Sequence, residues 1–120
     1  MKTHKDLDVW KRAIGLVVNV YQITSSFPKE EIYGLTSQLR RCSVSVPSNI
    51  AEGAGRSSFK EFSRFLSIAL GSLAELETQI IISNRLDYVS NTAFENLLVD
   101  LTTVRKMTLG LKKSIDNKIK

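Results

Sequence analysis

The segment EGAGRSS, residues 52–58, contains the glycines, the arginine and the hydroxyls from which phosphate-binding loops are built. A P-loop needs the spacing G-x-x-x-x-G-K-[ST], and this segment has neither the lysine nor that spacing. A dinucleotide-binding turn, G-x-G-x-x-G, needs a third glycine where Ser58 stands, and it follows a β-strand. The residues before Gly53 have helical spacing instead. We therefore interpret the segment as a turn between two helices.

Other residues that could do chemistry are few. His4 is the single histidine, and Cys42, the single cysteine, falls on an apolar helical row that favours a buried packing thiol over a nucleophile. The chain has no Cys/His spacing of a metal site. Glu52, Glu75 and Glu77 lack the Glu-x-x-His partners of a bundle di-iron site, so we expect salt bridges or helix-end hydrogen bonds. The sequence predicts no catalytic residue, no metal and no cofactor.

The basic residues have a clearer pattern. The last 16 residues carry six positive charges against Asp116 alone, and two pairs within them repeat at heptad spacing. The candidate nucleic-acid-binding residues form three clusters: Arg40 and Arg41; Arg56, Lys60 and Arg64; and Arg105, Lys106, Lys112 and Lys113. Such side chains at helical spacing can neutralise phosphates. The alternative is a set of solvated faces. Because Phe and Trp fall mostly on apolar rows, readout of bases by stacking is not predicted.

The bulk composition is that of a soluble globular protein. The chain has 120 residues, 42% of them hydrophobic and 24% charged, which favours one domain. The net charge of +5 agrees with a polyanionic partner. The charged N-terminus is unlike a secretory signal, and no window approaches the roughly 18 apolar residues of a membrane span. We expect a cytoplasmic protein that does not bind a membrane.

Four stretches have helical spacing. They predict one domain with helices at about 6–26, 28–53, 58–86 and 92–119. Short connections make sequential neighbours antiparallel, so the predicted fold is all-α, an antiparallel up-down-up-down four-helix bundle. Asp6, Ser58 and Thr92 are the predicted N-caps, and Pro28 is placed in the first turn of the second helix.

The first and third predicted helices carry more apolar surface than one bundle hides. On the first helix, the row from Leu7 through Tyr21 is predicted to face the core, and a second apolar row lies beside it. On the third helix, apolar residues flank the heptad row that runs from Phe62 to Ser83. We therefore predict contacts between subunits, with interface residues Val9, Leu16, Ile23, Ile68 and Ile82.

The second predicted helix contains a proline. Pro47 cannot donate a hydrogen bond to the carbonyl of Ser43, but the apolar row continues past it, so we predict a kinked helix. Asn49 and Glu52 are expected to form hydrogen bonds locally or across an interface. Gly53 is expected to help turn the chain into the third helix. These four residues, Pro47, Asn49, Glu52 and Gly53, are assigned structural roles.

Five short segments resemble the four-helix bundle proteins that are encoded in intervening sequences of bacterial 23S ribosomal RNA genes. They are YGL at 33–35, QLRR at 38–41, SVP at 45–47, NIAEG at 49–53 and GSLAEL at 71–76. The resemblance covers almost the whole chain, and Cys42 stands where the family often has a small apolar residue. It implies a single bundle that assembles into a ring-like homopentamer.

The chain is also similar to the accessory protein of diversity-generating retroelements. That similarity implies a positively charged pentamer whose partners are nucleic acid and a reverse transcriptase. Residues and resemblance together predict a non-enzymatic, oligomeric helical-bundle protein that binds RNA or DNA through the phosphate backbone. The alternative is a protein-interaction scaffold or assembly factor whose charge serves solubility. Salt-dependent binding of nucleic acid would separate the two.

Overall fold

The four predicted helices are present in a computed structural model, which describes residues 3–119. They are α1 (Asp8–Thr24), α2 (Leu35–Ala54), α3 (Phe59–Arg85) and α4 (Asn91–Asp116), with 3₁₀ segments at His4–Asp6 and Lys29–Glu31. Each helix packs against its neighbours in sequence, and α1 also packs against α4. This arrangement closes an up-down bundle with principal extents of 48 × 24 × 21 Å and confirms the predicted fold class.

The core is centred on α3. Its predicted heptad row is buried along the whole length of the helix: Phe62, Leu66, Ala69, Leu73, Leu76, Ile80 and Ser83. By length and composition alone, the segment Phe59–Arg85 is apolar enough to cross a membrane, which corrects the expectation that no window approaches a membrane span. Its heptad row is covered by neighbouring helices, so we interpret α3 as the core helix of the bundle.

The apolar row of α1 that was predicted to lie at a subunit interface faces the core instead. Val9 and Leu16 are 5% and 0% exposed, and the half-buried Ile23 packs against the core. Ile14 and Tyr21, which were predicted to face the core, are 38% and 42% exposed. Val9 and Leu16 are therefore core residues, which corrects their predicted place between subunits.

Polar contacts on both edges of α1 explain this orientation. Toward α4, Asn19 donates a hydrogen bond to Asp100 at 2.7 Å, and Arg12 lies 3.7 Å from the same carboxylate. Toward α2, Arg40 Nε donates to the hydroxyl of Thr24 at 2.9 Å. The row that contains Val9, Leu16 and Ile23 therefore lies nearer to α4. The row that contains Trp10, Ile14 and Tyr21 lies at the outer edge of α1, on the side of α2.

Helix α2 begins at Leu35, seven residues later than predicted. The backbone leaves the helical region at Gly34, with φ −113° and ψ −118°. Glu31 caps α2 from outside, since its Oε1 accepts a hydrogen bond from the backbone N–H of Leu35 at 3.1 Å. Tyr88 donates to the other oxygen of Glu31 at 3.0 Å. A Cβ at position 34 would lie 2.5 Å from Glu31 Oε1, so glycine makes room for this cap.

The other helix ends follow the predicted chemistry in part. Ser58 caps α3 as predicted, because its hydroxyl accepts a hydrogen bond from the backbone N–H of Glu61 at 3.1 Å. Ser90, not Thr92, caps α4. Asp6 belongs to the 3₁₀ segment before α1 and accepts a hydrogen bond from the N–H of Thr3, so it is not the N-cap of α1.

Helix α2 runs without interruption through Pro47, which is buried. Two residues later, the side chain of Asn49 donates to the carbonyl of Ser45 at 2.7 Å and to its hydroxyl at 2.9 Å. The Ser45 hydroxyl is also hydrogen-bonded to the hydroxyl of Ser72 on α3, at 2.8 Å. This network fastens the proline-containing part of α2 to α3, and the kink itself stays a prediction.

Candidate nucleic-acid interface

The basic cluster at the start of α3 and the C-terminal part of the basic cluster on α4 meet at one end of the bundle. There the hydroxyl of Ser63 on α3 donates a hydrogen bond to Asp116 on α4. Beside this contact, the ammonium of Lys118 lies 5.4 Å from the ring centroid of Phe59. We call this part of the molecule the cationic end; its basic residues are Arg56, Lys60, Arg64, Lys112, Lys113 and Lys118. Lys120 lies outside the described residues.

Two arginines of the cationic end are held against one aromatic ring. The guanidinium carbons of Arg56 and Arg64 lie 4.9 Å and 4.6 Å from the ring centroid of Phe65. Arg56 also pairs with Glu52 on α2 at 2.9 Å. Cation–π contacts fix the position of a guanidinium while leaving its edge free to donate hydrogen bonds. The arginines are thus ordered, and both remain exposed at the surface.

The basic residues of α4 divide into a paired row and a free row. Arg105 lies 3.4 Å from Glu77 on α3, and Lys112 lies 2.8 Å from Asp116. Lys106 and Lys113, one position further round the helix, are exposed and have no ion pair with any residue of 3–119. The free row is the part of α4 with cations available to an anion.

The third predicted cluster lies elsewhere. Arg40 and Arg41 are near the start of α2, toward the other end of the bundle. Arg40 contacts α1: its Nε donates a hydrogen bond to Thr24, and its guanidinium carbon lies 4.7 Å from the ring centroid of Tyr21. Arg41 lines a separate cleft between α2 and α3. The structure therefore does not bring Arg40 and Arg41 together with the other predicted nucleic-acid-binding residues.

That separate cleft, of about 320 Å³, contains the thiol of Cys42. Its sulfur donates a hydrogen bond to the carbonyl of Ser72 at 3.0 Å. Burial, and then the negative charge of Glu75, raise the pKa of Cys42 to about 11, so the thiol is protonated and a poor nucleophile at neutral pH. Among residues 3–119, no group of three or more His, Cys, Asp or Glu side chains is placed to hold a metal ion.

Sequence reasoning missed Phe59. Its ring is 46% exposed at the first residue of α3, although it stands three residues before the buried Phe62 and continues the same apolar spacing. The spacing is misleading because α2 has ended and α4 is ending at this level of the bundle, so no helix covers the ring. The signal available in the sequence was the position of Phe59 directly after the N-cap Ser58.

By its fold, the protein is a small antiparallel four-helix bundle, and one end of the bundle is cationic. The family model of the 23S rRNA-intervening sequence protein matches residues 5–110 of this chain. The chain therefore belongs to the 23S rRNA-intervening sequence protein family, and the resemblance seen in its sequence motifs is confirmed.

A solved structure supports the same fold. It is the crystal structure of a protein of unknown function from the S23 ribosomal protein family of Bacteroides thetaiotaomicron. The two chains are 23% identical and superpose with a TM-score of 0.81, over 88% of this chain and 95% of that chain. At this level of identity the likeness shows the fold alone. No curated protein matches the sequence of this chain.

Proposed function

We propose that this protein is a non-enzymatic, oligomeric helical bundle of the cytoplasm that binds RNA or DNA through the phosphate backbone. The observation that carries the proposal is the convergence of basic residues from α3 and α4 at the cationic end. Lys60, Arg64 and Lys113 are exposed there, and none of them has an ion pair with a described residue. Free cations on a rigid surface can replace the counterions of a polyanion.

The geometry favours phosphates over bulk solvent as the partner of these cations. Arg56 and Arg64 are stacked on Phe65, so less side-chain freedom is lost when they bind an anion. The guanidinium of Arg64, which has no ion pair with a described residue, can donate two hydrogen bonds to one phosphate, whereas Arg56 already donates to Glu52 at 2.9 Å. The free row of α4 extends the surface, with Lys106 one heptad before Lys113. Such a surface fits the repeated phosphates of a nucleic-acid backbone.

Exposed apolar residues support self-association. On the outer side of α1 and α2, Ile14, Val18, Tyr21 and Val44 are 38–49% exposed. Two of them, Ile14 and Val44, line a groove of about 360 Å³ between the two helices. Contiguous apolar patches of this kind mark protein contacts. We call these four residues the α1–α2 apolar face.

Two further apolar residues are exposed on α3, where Ile68 and Ile82 are 40% and 44% exposed. A cyclic ring needs two different patches on each subunit, one for each neighbour. We propose that the side of α3 with Ile68 and Ile82 and the α1–α2 apolar face join subunits into a homo-oligomer, which is a pentamer by the resemblance to the family. A ring would repeat the cationic end and so raise the avidity for a long polyanion.

The second candidate function is a protein-interaction scaffold. It is favoured by Ile32 and Tyr33, which stand in the connection before α2 and are 51% and 94% exposed. A reverse transcriptase is one protein partner that the resemblance implies. On this alternative, the charge of the cationic end keeps the protein soluble and contacts no nucleic acid.

The test is fluorescence anisotropy with a labelled structured RNA and a matched DNA duplex, at several salt concentrations. For the wild type we expect the logarithm of the binding constant to fall linearly with the logarithm of the salt concentration. The double variant Lys60→Gln/Lys113→Gln should make this salt dependence less steep: the magnitude of the slope should fall by about 2, roughly one for each lost phosphate contact.

The matched control is Lys29→Gln/Arg85→Gln, which removes two exposed charges at the opposite end of the bundle. It should leave the salt slope unchanged. If both double variants reduce binding equally, net charge and not the cationic end is responsible. If the wild type binds neither nucleic acid at low salt, the scaffold function replaces the proposed one.

A further inference from the structure

A cleft of about 340 Å³ opens at the cationic end, between the start of α3 and the end of α4. Its floor is apolar and includes Leu7, Phe62, Leu111 and Ile115. Phe59 lines the same cleft and is 46% exposed. Phenylalanine is among the residue types most often found inside proteins, so a half-exposed ring over an apolar floor is an available contact surface.

Two cations line the cleft beside this aromatic surface. Arg56 and Lys118 both line the cleft, and the ammonium of Lys118 lies 5.4 Å from the ring centroid of Phe59. The ammonium of Lys118 itself lies over the ring, and it has no ion pair with a described residue. The hydroxyls of Ser57 and Ser114 add polar atoms to the lining. The flat ring and the apolar floor suit the planar base of a nucleotide, and the cations at the rim suit its phosphate.

We propose that this cleft binds an unpaired base of single-stranded nucleic acid, stacked on Phe59, while Lys118 and the N–H groups of Arg56 that do not bind Glu52 contact the neighbouring phosphates. The inference rests on the proposed function and narrows it from nucleic acid in general to single strands. A base inside a duplex is stacked between its own neighbours and cannot reach the ring. Because every base has a π face, the contact tolerates any sequence. The sequence did not predict this exposed ring, because its Phe and Trp residues fall mostly on apolar rows.

The test compares labelled oligonucleotides of equal length and equal backbone charge by fluorescence anisotropy. The probes are oligo-dT, oligo-rU and an abasic deoxyribose-phosphate strand. We expect wild-type protein to bind oligo-dT or oligo-rU at least about fivefold more tightly than the abasic strand, since one stacked base contributes that much or more. The tighter of the two base-containing probes identifies RNA or DNA as the source of the strand.

Variants of Phe59 test whether its ring causes the preference for base-containing strands over the abasic strand. Phe59→Ala should bind all three probes with the affinity of the abasic strand, whereas Phe59→Trp should keep the preference. Phe59→Leu retains apolar contact with the cleft floor but has no flat ring, so it should melt like the wild type and still lose the preference. Tyr33→Ala is the matched control, because Tyr33 is 94% exposed and lies at the opposite end of the bundle.

Two results overturn the inference alone and leave the proposed function standing. Equal wild-type affinity for the abasic strand and for both base-containing strands removes the base site but leaves phosphate binding in place. A preference that persists in both Phe59→Ala and Phe59→Leu places the base contact elsewhere. Absence of binding to all three probes at low salt overturns the base site and the proposed function together.

Discussion

Ser63 on α3 and Asp116 on α4 are joined by a hydrogen bond from the serine hydroxyl to the carboxylate. The same carboxylate accepts a hydrogen bond from Lys112 at 2.8 Å. Asp116 therefore links the two helices whose basic residues form the cationic end. The hydrogen bonds from Lys112 and then Ser63 stabilise the ionised carboxylate, so they hold the pKa of Asp116 below its usual value.

The first prediction concerns acid stability. Because the pKa of Asp116 is lower in the folded state, its contribution to stability is present above the unfolded-state pKa and is lost as the pH falls through the folded-state pKa. We expect Asp116→Asn to be less stable than the wild type at about pH 6 and closer to it at about pH 3. Urea unfolding at the two pH values measures this.

Glu95→Gln is the control, since it removes a carboxylate from the same helix that has no hydrogen bond or ion pair with a described residue. Its stability should track that of the wild type at both pH values. A constant difference between Asp116→Asn and the wild type from about pH 6 to about pH 3 would contradict the assigned role.

The second prediction separates paired from free cations. Lys112 is bound to Asp116, whereas the adjacent Lys113 is exposed and has no ion pair with a described residue. Lys113→Gln should lower the salt slope of nucleic-acid binding by about 1, and Lys112→Gln should lower it by less. The two variants have the same net charge and differ by one position, so each controls for the other. Equal slopes would show that the ion pair opens on binding.

The parts of the fold that depend on local periodicity were predictable from the sequence. The heptad row of α3 was predicted correctly from Phe62 to Ser83, because one uninterrupted apolar row defines the buried face of a helix. In α4, the row through Leu97, Leu101 and Val104 is buried as well. The meeting of two basic clusters then follows from antiparallel neighbours, since the start of α3 must lie beside the end of α4.

The rotation of α1 could not be predicted in the same way. Its apolar arc is wide enough to bury either row, and the larger row, with Trp10 and Tyr21, was the natural choice. The contacts that fix the rotation come from distant positions, namely Asp100 on α4 and Arg40 on α2. The start of α2 was missed for a similar reason, because Tyr88 holds the Glu31 carboxylate that caps it.

The third prediction concerns the packing of α2 on α3 at Gly53. A Cβ there would lie 2.8 Å from Phe65 Cβ and 2.9 Å from Phe62 Cδ1. Gly53→Ala should therefore destabilise the protein by about 1–3 kcal/mol, the usual cost of overpacking a core. A Cβ at Gly110 in α4 meets nothing within 4 Å, so Gly110→Ala should stabilise by about 0.5–1 kcal/mol. Urea unfolding of both variants gives the comparison, and a stabilised Gly53→Ala would show that the two helices can separate at no cost.

The fourth prediction concerns thiol reactivity. Burial, with Glu75 as the second cause, raises the pKa of Cys42 from 9.0 to about 11. At neutral pH the folded protein should react with iodoacetamide roughly a hundredfold more slowly than the chain unfolded in urea, because the thiolate is the reactive form. Glu75→Gln should speed the reaction of the folded protein by removing a like charge. Equal rates in the folded and unfolded states would mean that the thiol of the folded protein is as accessible and as readily ionised as in the unfolded chain, which contradicts the raised pKa.

The fifth prediction separates the two apolar rows of α1. Val18 belongs to the α1–α2 apolar face and is 49% exposed, whereas Leu16 is fully buried. Val18→Glu should abolish self-association in analytical ultracentrifugation and leave the melting temperature of the subunit nearly unchanged. Leu16→Ala should instead cost about 2–5 kcal/mol of stability, because it opens a cavity in the core.

The control for this surface is Val99→Glu on α4, which is 67% exposed and lies on a helix that does not pack against α2. It introduces the same charge on another side of the bundle, so it should leave the oligomer intact. If Val99→Glu dissociates the oligomer while Val18→Glu does not, the subunits meet through α4. A wild-type protein that sediments as a monomer at all concentrations would show that the α1–α2 apolar face serves a different partner.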